Sequence, residues 1–351
     1  MRATWILERE TSWPRRLALA PLLPLSWVYG GIAALHRAAY ERGALSRRRL
    51  GCHVICVGNL VVGGTGKTPL AAWLARGLHL RGRKVALASR GYGGSGRDPV
   101  SVVSDGRFVR GRAESVGDEP MLLAARAAGV PVLVGRDRGL VGLRALSAFG
   151  ADVLVLDDGF QHHRLQRDLD VVSFDGRFGL GNRHCLPLGP LREPLRALRR
   201  ADAIAVVDGP LPEPDASRIA SRTPGAHRIS IRRRPGPLRP LAGGVPEPVE
   251  SLRDLEVGVL CGLANPAAFR TSVEALGARV VAERCFPDHH RYRKKDLVGL
   301  ADDAQRWVTT EKDAVKIVPA WTGRAEVRVL GLRLAVENPD AVLDWVESRL
   351  R

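Results

Sequence analysis

Short apolar runs punctuated by glycine, proline or polar clusters recur along the first two thirds of the chain: Val85–Ser89, residues 132–134, 153–156 and 171–174, and Ala203–Val207. Segments with helical spacing of apolar positions lie between them, notably residues 120–128 and Arg138–Phe149. Strands too apolar to face water on either side, alternating with helices, predict a mainly parallel sheet wrapped by helices. Ligands of such sheets bind at the carboxyl ends of the strands. Residues 209–214 and 232–248 are rich in proline, glycine and arginine, which predicts a connection with loops. Beyond it, runs at 257–261, 280–286, 307–310 and 326–330 predict a second, smaller α/β unit, closed by a helix over 339–350. The expected organisation is therefore an amino-terminal segment (1–49), a nucleotide-binding and catalytic domain (50–208), a smaller α/β domain (209–335) and a terminal helix (336–351).

The first strand carries the strongest chemical signal. Val57-Gly58-Asn59-Leu60-Val61-Val62-Gly63-Gly64-Thr65-Gly66-Lys67-Thr68-Pro69 runs from an apolar strand through a glycine turn into a helical pattern at Leu70, Ala71, Leu74 and Leu78. Small residues let backbone N–H groups converge on phosphate oxygens, Lys67 can reach the terminal phosphates, and the Thr68 hydroxyl suits Mg²⁺. Residues 61–68 (Val61, Val62, Gly63, Gly64, Thr65, Gly66, Lys67, Thr68) form the expected nucleotide loop of a P-loop NTPase-like fold. The pattern wants glycine where Val61 stands, and Gly63 and Gly64 partly replace it. The loop establishes nucleotide use and leaves the phosphate acceptor open.

Acidic clusters follow other strands. Asp157 and Asp158 end an apolar run beside Gly159-Phe160-Gln161-His162-His163, as a Mg²⁺ site next to a phosphate loop requires. Gly117-Asp118-Glu119-Pro120 sets two acids at a helix start, where Asp118 either caps the helix or, aimed into the site, serves as a base for an attacking hydroxyl. Ser89-Arg90-Gly91-Tyr92-Gly93-Gly94 could line a phosphate or substrate contact, and Arg192, in a proline-rich loop, could grip a phosphate bidentately. In the second unit, Asp288-His289-His290 and Thr310-Glu311-Lys312-Asp313 both follow strands. An Asp–His pair is either structural or a means of fixing an imidazole tautomer and raising its basicity. A metal-dependent phosphoesterase built on Asp-His-His needs further acids and leaves the phosphate loop unemployed.

A chain of 351 residues, 45% apolar, can bury a sizeable core. Its five cysteines are odd in number and scattered, which reads as reduced core residues rather than a disulfide framework or a zinc site. The net charge of +17 favours acidic partners, but aromatic residues make up only 5% and no nucleic-acid motif accompanies the charge. Residues 17–35 carry no charge and are flanked by Arg15, Arg16, Arg37, Arg42 and Arg47 to Arg49. Pro21, Pro24, Gly30 and Gly31 interrupt this segment, so an interfacial or hairpin-like membrane contact is expected over a span, with a buried helix as the alternative. Glu8 and Glu10 argue against a cleavable signal peptide.

Taken together, the motifs resemble one family, the tetraacyldisaccharide 4′-kinases, membrane-associated P-loop kinases of lipid A synthesis. The resemblance runs through residues 58–69, 90–93, 117–120, 157–162, 186–194, 261–269, 288–292 and 310–316, and the family's loop tolerates a non-glycine residue at the position of Val61. It implies ATP and Mg²⁺ as cofactors and a nucleotide site between two α/β domains. It further implies phosphorylation of the 4′-hydroxyl of a tetraacylated glucosamine disaccharide 1-phosphate at the cytoplasmic face of an inner membrane, with neither nucleic acid nor an obligate protein partner. By position in the motifs, Lys67 and Thr68 bind phosphates and Mg²⁺. Asp118 is the general base, supported by His289 with Asp288 behind it. Glu119, Asp157 and Asp158 organise metal and charge, and Arg90, Tyr92, Gln161, His162 and Arg192 contact nucleotide or substrate. The rival expectation is a P-loop ATPase of partitioning or assembly type, which has no lipid acceptor.

Overall fold

The computed structural model describes residues 18–92, 94–96 and 98–350. Glu8, Glu10, Arg15, Arg16 and Leu17 of the expected amino-terminal segment, and Gly93 of the glycine turn, lie outside the described residues. The described residues form one sheet of twelve strands: β1 (His53–Gly58), β2 (Val85–Ser89), β3 (Ser101–Asp105), β4 (Pro131–Val134), β5 (Val153–Asp157), β6 (Leu169–Asp175), β7 (Ala203–Val207), β8 (His227–Pro240), β9 (Glu256–Gly262), β10 (Arg279–Phe286), β11 (Arg306–Thr310) and β12 (Glu326–Val336). Their order is β10-β9-β11-β12-β8-β7-β6-β1-β5-β2-β4-β3. Six helices of nine residues or more surround it: α1 (Leu22–Glu41), α2 (Lys67–Leu80), α3 (Asp118–Arg126), α4 (Arg138–Phe149), α5 (Pro266–Glu274) and α6 (Pro339–Ser348).

The expected parallel core is present. β1 lies between β5 and β6, parallel to both, and Val57 pairs with Asp157. These central strands are buried at nearly every position because apolar layers cover both faces. Such burial is why they read as unbroken apolar runs.

Part of the expected connection is not loop. Residues 232–240 belong to β8, a strand of 14 residues parallel to β7 and antiparallel to β12, which joins the two parallel halves into one sheet. Its arginines alternate with buried Ile229, Ile231 and Leu238. The alternation is that of a strand with one covered face, and the arginine and proline content masks it. Register shifts between Leu330 and Leu332, where Gly236 faces the backbone of Gly331 at a distance that leaves no room for a Cβ without adjustment. A bulge of this kind bends the ladder between the halves.

Two further expectations change. α6 returns to the first half: Val342, Leu343 and Val346 join its core, and Leu343 packs so closely on Gly77 of α2 that a Cβ there would lie 2.9 Å away. The five cysteines are free, as expected, but Cys285 is exposed.

At the amino terminus, Gly30 and Gly31 do not break the helix. Gly30 is a packing position, where an added Cβ would meet Cys185 Sγ at 3.2 Å, and Ser26 Oγ donates to the Cys185 carbonyl at 2.7 Å. Pro24 falls in the first turn, where a missing N–H costs nothing. The opposite side of α1 exposes Leu25, Trp27, Val28, Ile32 and Leu35. No helix among the described residues is long and apolar enough to cross a membrane.

Candidate active site

The phosphate loop is over-determined by its surroundings. Gly63 and Gly66 adopt φ of 116° and 80°, conformations that a side chain disfavours, and α2 begins directly after Gly66. Val61 is buried and bridges to Leu191, while Val62 N donates to the Pro190 carbonyl at 2.8 Å. The proline-rich loop thus pins the start of the phosphate loop, which gives Val61 a packing role that glycine could not fill. Inside the turn, the Asn59 amide donates to Thr65 Oγ1 at 3.1 Å and to the Val61 carbonyl, and Thr65 and Ser173 hydroxyls meet at 2.9 Å. Asn59 and Ser173 were missed from sequence. The available signal was a polar residue in an otherwise apolar strand context.

Around this loop the expected polar residues gather. Thr68 Oγ1 donates to Asp157 Oδ2 at 3.0 Å, and Lys67 Nζ lies 3.7 Å from Asp158 Oδ1. Arg192 Nη1 reaches both oxygens of Asp158, at 2.8 and 3.0 Å, so one terminal nitrogen grips the carboxylate. Gln161 donates to the Asn59 carbonyl at 3.1 Å and to Glu193. Burial alone raises the Asp158 carboxyl, but Lys67 and Arg192 outweigh it and hold it below the usual carboxylate range. Asp157 is the reverse: burial first, and then the neighbouring Glu119 carboxylate, push it up to about 7. His162 and its neighbour His163 are driven down to about 4 and about 2, first by burial and then by nearby arginines.

The donor set fits Mg²⁺. Asp157 Oδ1 is buried without a hydrogen-bond partner, next to the Thr68 hydroxyl on the other oxygen. Among the described residues no cluster of three or more acids, histidines or cysteines could cage an ion alone. Such a site suits a cation that takes one or two protein oxygens and completes its shell with phosphate and water.

Asp118 opens α3, next in the chain to Glu119, whose charge reaches Asp157. It is buried, and its Oδ2 lies 2.9 Å from His289 Nδ1, 171 residues away in the other half of the molecule. Gly117 precedes it with φ 94°, and a Cβ there would strike the Tyr92 carbonyl at 2.4 Å. No side chain caps α3, and Asp118, its first residue, turns its carboxylate to His289. His289 follows β10 with φ 60°, a conformation that histidine tolerates and that aims its ring back at α3. His290 takes no part: it stacks on Phe286 and meets Asp296 at 3.0 Å. Arg90 and Tyr92 are exposed and line an adjoining cleft of about 820 Å³, with Ser115, Arg136 and Asp137.

The sequence agrees with known proteins over nearly its full length. The family model for tetraacyldisaccharide-1-P 4′-kinase matches residues 18–351. The tetraacyldisaccharide 4′-kinase of Anaeromyxobacter dehalogenans (strain 2CP-C) is 44% identical, with 98% of this chain and 91% of that one covered. That of Alkalilimnicola ehrlichii is 45% identical over 99% of this chain and 96% of its own. A crystal structure of the "apo" form of LpxK from Aquifex aeolicus in complex with ATP superimposes with a TM-score of 0.79 at 30% identity, covering 95% of this chain and all of that one. A glycine-turn phosphate loop and an Asp–His pair that joins the two halves are thus set in a fold and a sequence shared with these enzymes, and the chain belongs to the tetraacyldisaccharide 4′-kinase family.

Proposed function

We propose that this kinase transfers the γ-phosphoryl group of ATP to the 4′-hydroxyl of a tetraacylated glucosamine disaccharide 1-phosphate, with Asp118 as the base that accepts the hydroxyl proton. The observation that carries this reading is the Asp118–His289 hydrogen bond, beside the Glu119 carboxylate whose charge reaches Asp157. An ATPase that hydrolyses without an acceptor has no use for a buried carboxylate held by an imidazole from the opposite half.

Phosphoryl transfer asks a protein mainly for positioning and charge neutralisation. The loop amides of residues 61–68 and Lys67 hold the phosphates. Thr68 and Asp157 would hold Mg²⁺, which would supply neutralisation of phosphate charge when bound. Arg192 and Lys67 keep Asp158 ionised and aligned beside that centre, and Glu119 adds negative charge next to Asp157. Asp118, fixed by His289 Nδ1, takes the proton from the acceptor hydroxyl as the bond to phosphorus forms. The two α/β halves close over the reactants and exclude water. Arg90, Tyr92, Gln161 and His162 sit at the margin of the site and serve substrate or nucleotide contacts.

The exposed apolar face of α1, with Arg42, Arg47 and Arg49 exposed beyond its end, is the membrane-facing surface. Leu25, Val28, Ile32 and Leu35 recur at helical spacing and enter the lipid interface, while the arginines meet anionic headgroups at about 1 kcal/mol each. The enzyme then works as a peripheral protein on the cytoplasmic face of the inner membrane.

Purified protein incubated with γ-labelled ATP and the disaccharide 1-phosphate lipid tests the reading. Label in the lipid is expected; label released only as inorganic phosphate, equally with and without lipid, refutes it.

A further inference from the structure

The segment Thr310-Glu311-Lys312-Asp313 carries three consecutive charges, and the catalytic reading above uses none of them. Its two acids are structural anchors. Glu311 is buried and clasped from two directions: Arg126 of α3 donates from Nε at 2.9 Å to one oxygen, and Arg239 of β8 donates at 2.6 Å to the other. Asp313 is fully buried, and accepts from Gly262 N at 3.1 Å and from Thr310 Oγ1 at 2.7 Å. The backbone of Lys312 is therefore fixed on both sides against α3, β8, β9 and β11. What remains is its side chain, and it points at the catalytic loop. Lys312 Nζ donates to Asp288 Oδ1 at 2.9 Å and lies 3.3 Å from His289 Nε2.

This geometry decides the state of the imidazole. A lysine ammonium has donors and no acceptor. The ring nitrogen that meets it must accept, so Nε2 carries no proton. The one ring proton is then on Nδ1, which faces Asp118 Oδ2 at 2.9 Å. Asp288 Oδ2 is 3.7 Å from Nε2, farther from it than the lysine, and its partner Lys312 cancels its charge.

We infer that Lys312 is a positioning residue that holds His289 as the neutral Nδ1–H tautomer, so that the ring donates to Asp118 Oδ2 and leaves Oδ1 as the oxygen that takes the substrate's proton. The assignment builds on the reading of Asp118 as base. Asp288 acts by orienting Lys312. A pair made of His289 and Asp288 alone would favour a proton on Nε2, and Nδ1 would then face the Asp118 carboxylate lone pair to lone pair.

The test is ring-nitrogen NMR on the full-length enzyme labelled with ¹⁵N-histidine, with His289 assigned by its substitution. Wild type is expected to show an unprotonated Nε2 and a protonated Nδ1. Lys312→Met is expected to move the proton to Nε2 or onto both nitrogens. With that change, kcat falls roughly ten-fold while KM for ATP stays within about two-fold, the pattern of a contact made chiefly in the transition state. Lys312→Arg, which keeps a donor-only cation, is expected to retain the wild-type tautomer and recover most of kcat. A protonated Nε2 in wild type overturns the inference, and so does an unchanged tautomer in folded Lys312→Met. If Lys312→Met does not fold, the wild-type spectrum and Lys312→Arg decide. Failure of the base assignment is seen separately: an active Asp118→Ala enzyme removes the base while the tautomer measurement stands.

Discussion

The two walls of the cleft are built to different standards. The phosphate-loop wall is made of strands buried at nearly every position, with Asn59, Thr65 and Ser173 joined beneath the turn and the 186–194 loop pinned across its start. The opposite wall hangs from β10, an edge strand whose residues alternate between exposed and half-buried, and its key ring, His289, is about half exposed. One wall holds its geometry by packing; the other holds it by a few charged contacts to the first. The packed wall resists local opening more than the edge-strand wall does.

If the first half carries the reacting groups, removing one of them stops turnover without unfolding the protein. Asp118→Ala and Lys67→Ala are each expected to lower kcat/KM by about 10²–10⁴-fold, the range for losing a general base or a comparable charge contact. Circular dichroism and the melting temperature should stay close to wild type, and near-normal activity in either variant breaks its assignment.

A smaller effect separates the walls by stability. Asn59→Ala strips the buried Thr65 hydroxyl and the Val61 carbonyl of a donor and is expected to cost about 1–3 kcal/mol, read by denaturant unfolding, with a raised KM for ATP. His289→Ala, on the half-exposed wall, should leave unfolding nearly unchanged. Equal destabilisation by the two substitutions erases the contrast.

The buried wall also carries an acid sensitivity. His162 and His163 stay neutral in the fold because burial depresses them to about 4 and about 2, whereas in the unfolded chain they titrate near 6.5. Between about pH 6.5 and 4 the unfolded state binds more protons, so stability falls as pH drops through that window. His163→Gln should flatten this slope of melting temperature against pH. An unaltered slope argues that other groups govern it.

The smallest expected change concerns α1. Ile32→Glu places a charge in its exposed apolar face, and should weaken sedimentation with anionic vesicles several-fold while ATP binding is untouched. Unchanged vesicle binding removes α1 as the membrane surface.

Much of the first wall was legible in the sequence because its parts are local. A strand, a glycine turn, Lys67 and Thr68 lie within a dozen residues, and the buried strands β1, β2, β5 and β7 announce themselves as apolar runs. β8 was harder: its arginines and prolines conceal an alternation of buried and exposed positions, so it reads as a linker. The partner of Ser173 depended on β6 lying beside β1, whereas Asn59, a polar residue after an apolar strand, bonds Thr65 in the same turn. The choice between cap and base for Asp118 was undecidable locally, since both put an acid at a helix start.

By itself, the sequence determined that this protein binds a nucleotide phosphate on a parallel sheet, because backbone geometry and phosphate chemistry are written in neighbouring residues. Only the tertiary structure decided which distant side chains meet. The bond from Asp118 to His289 spans 171 residues, and Lys312 reaches the same ring from a third segment. Such contacts form only when the bent β8–β12 ladder turns the second half toward the first, and no short-range pattern encodes that approach.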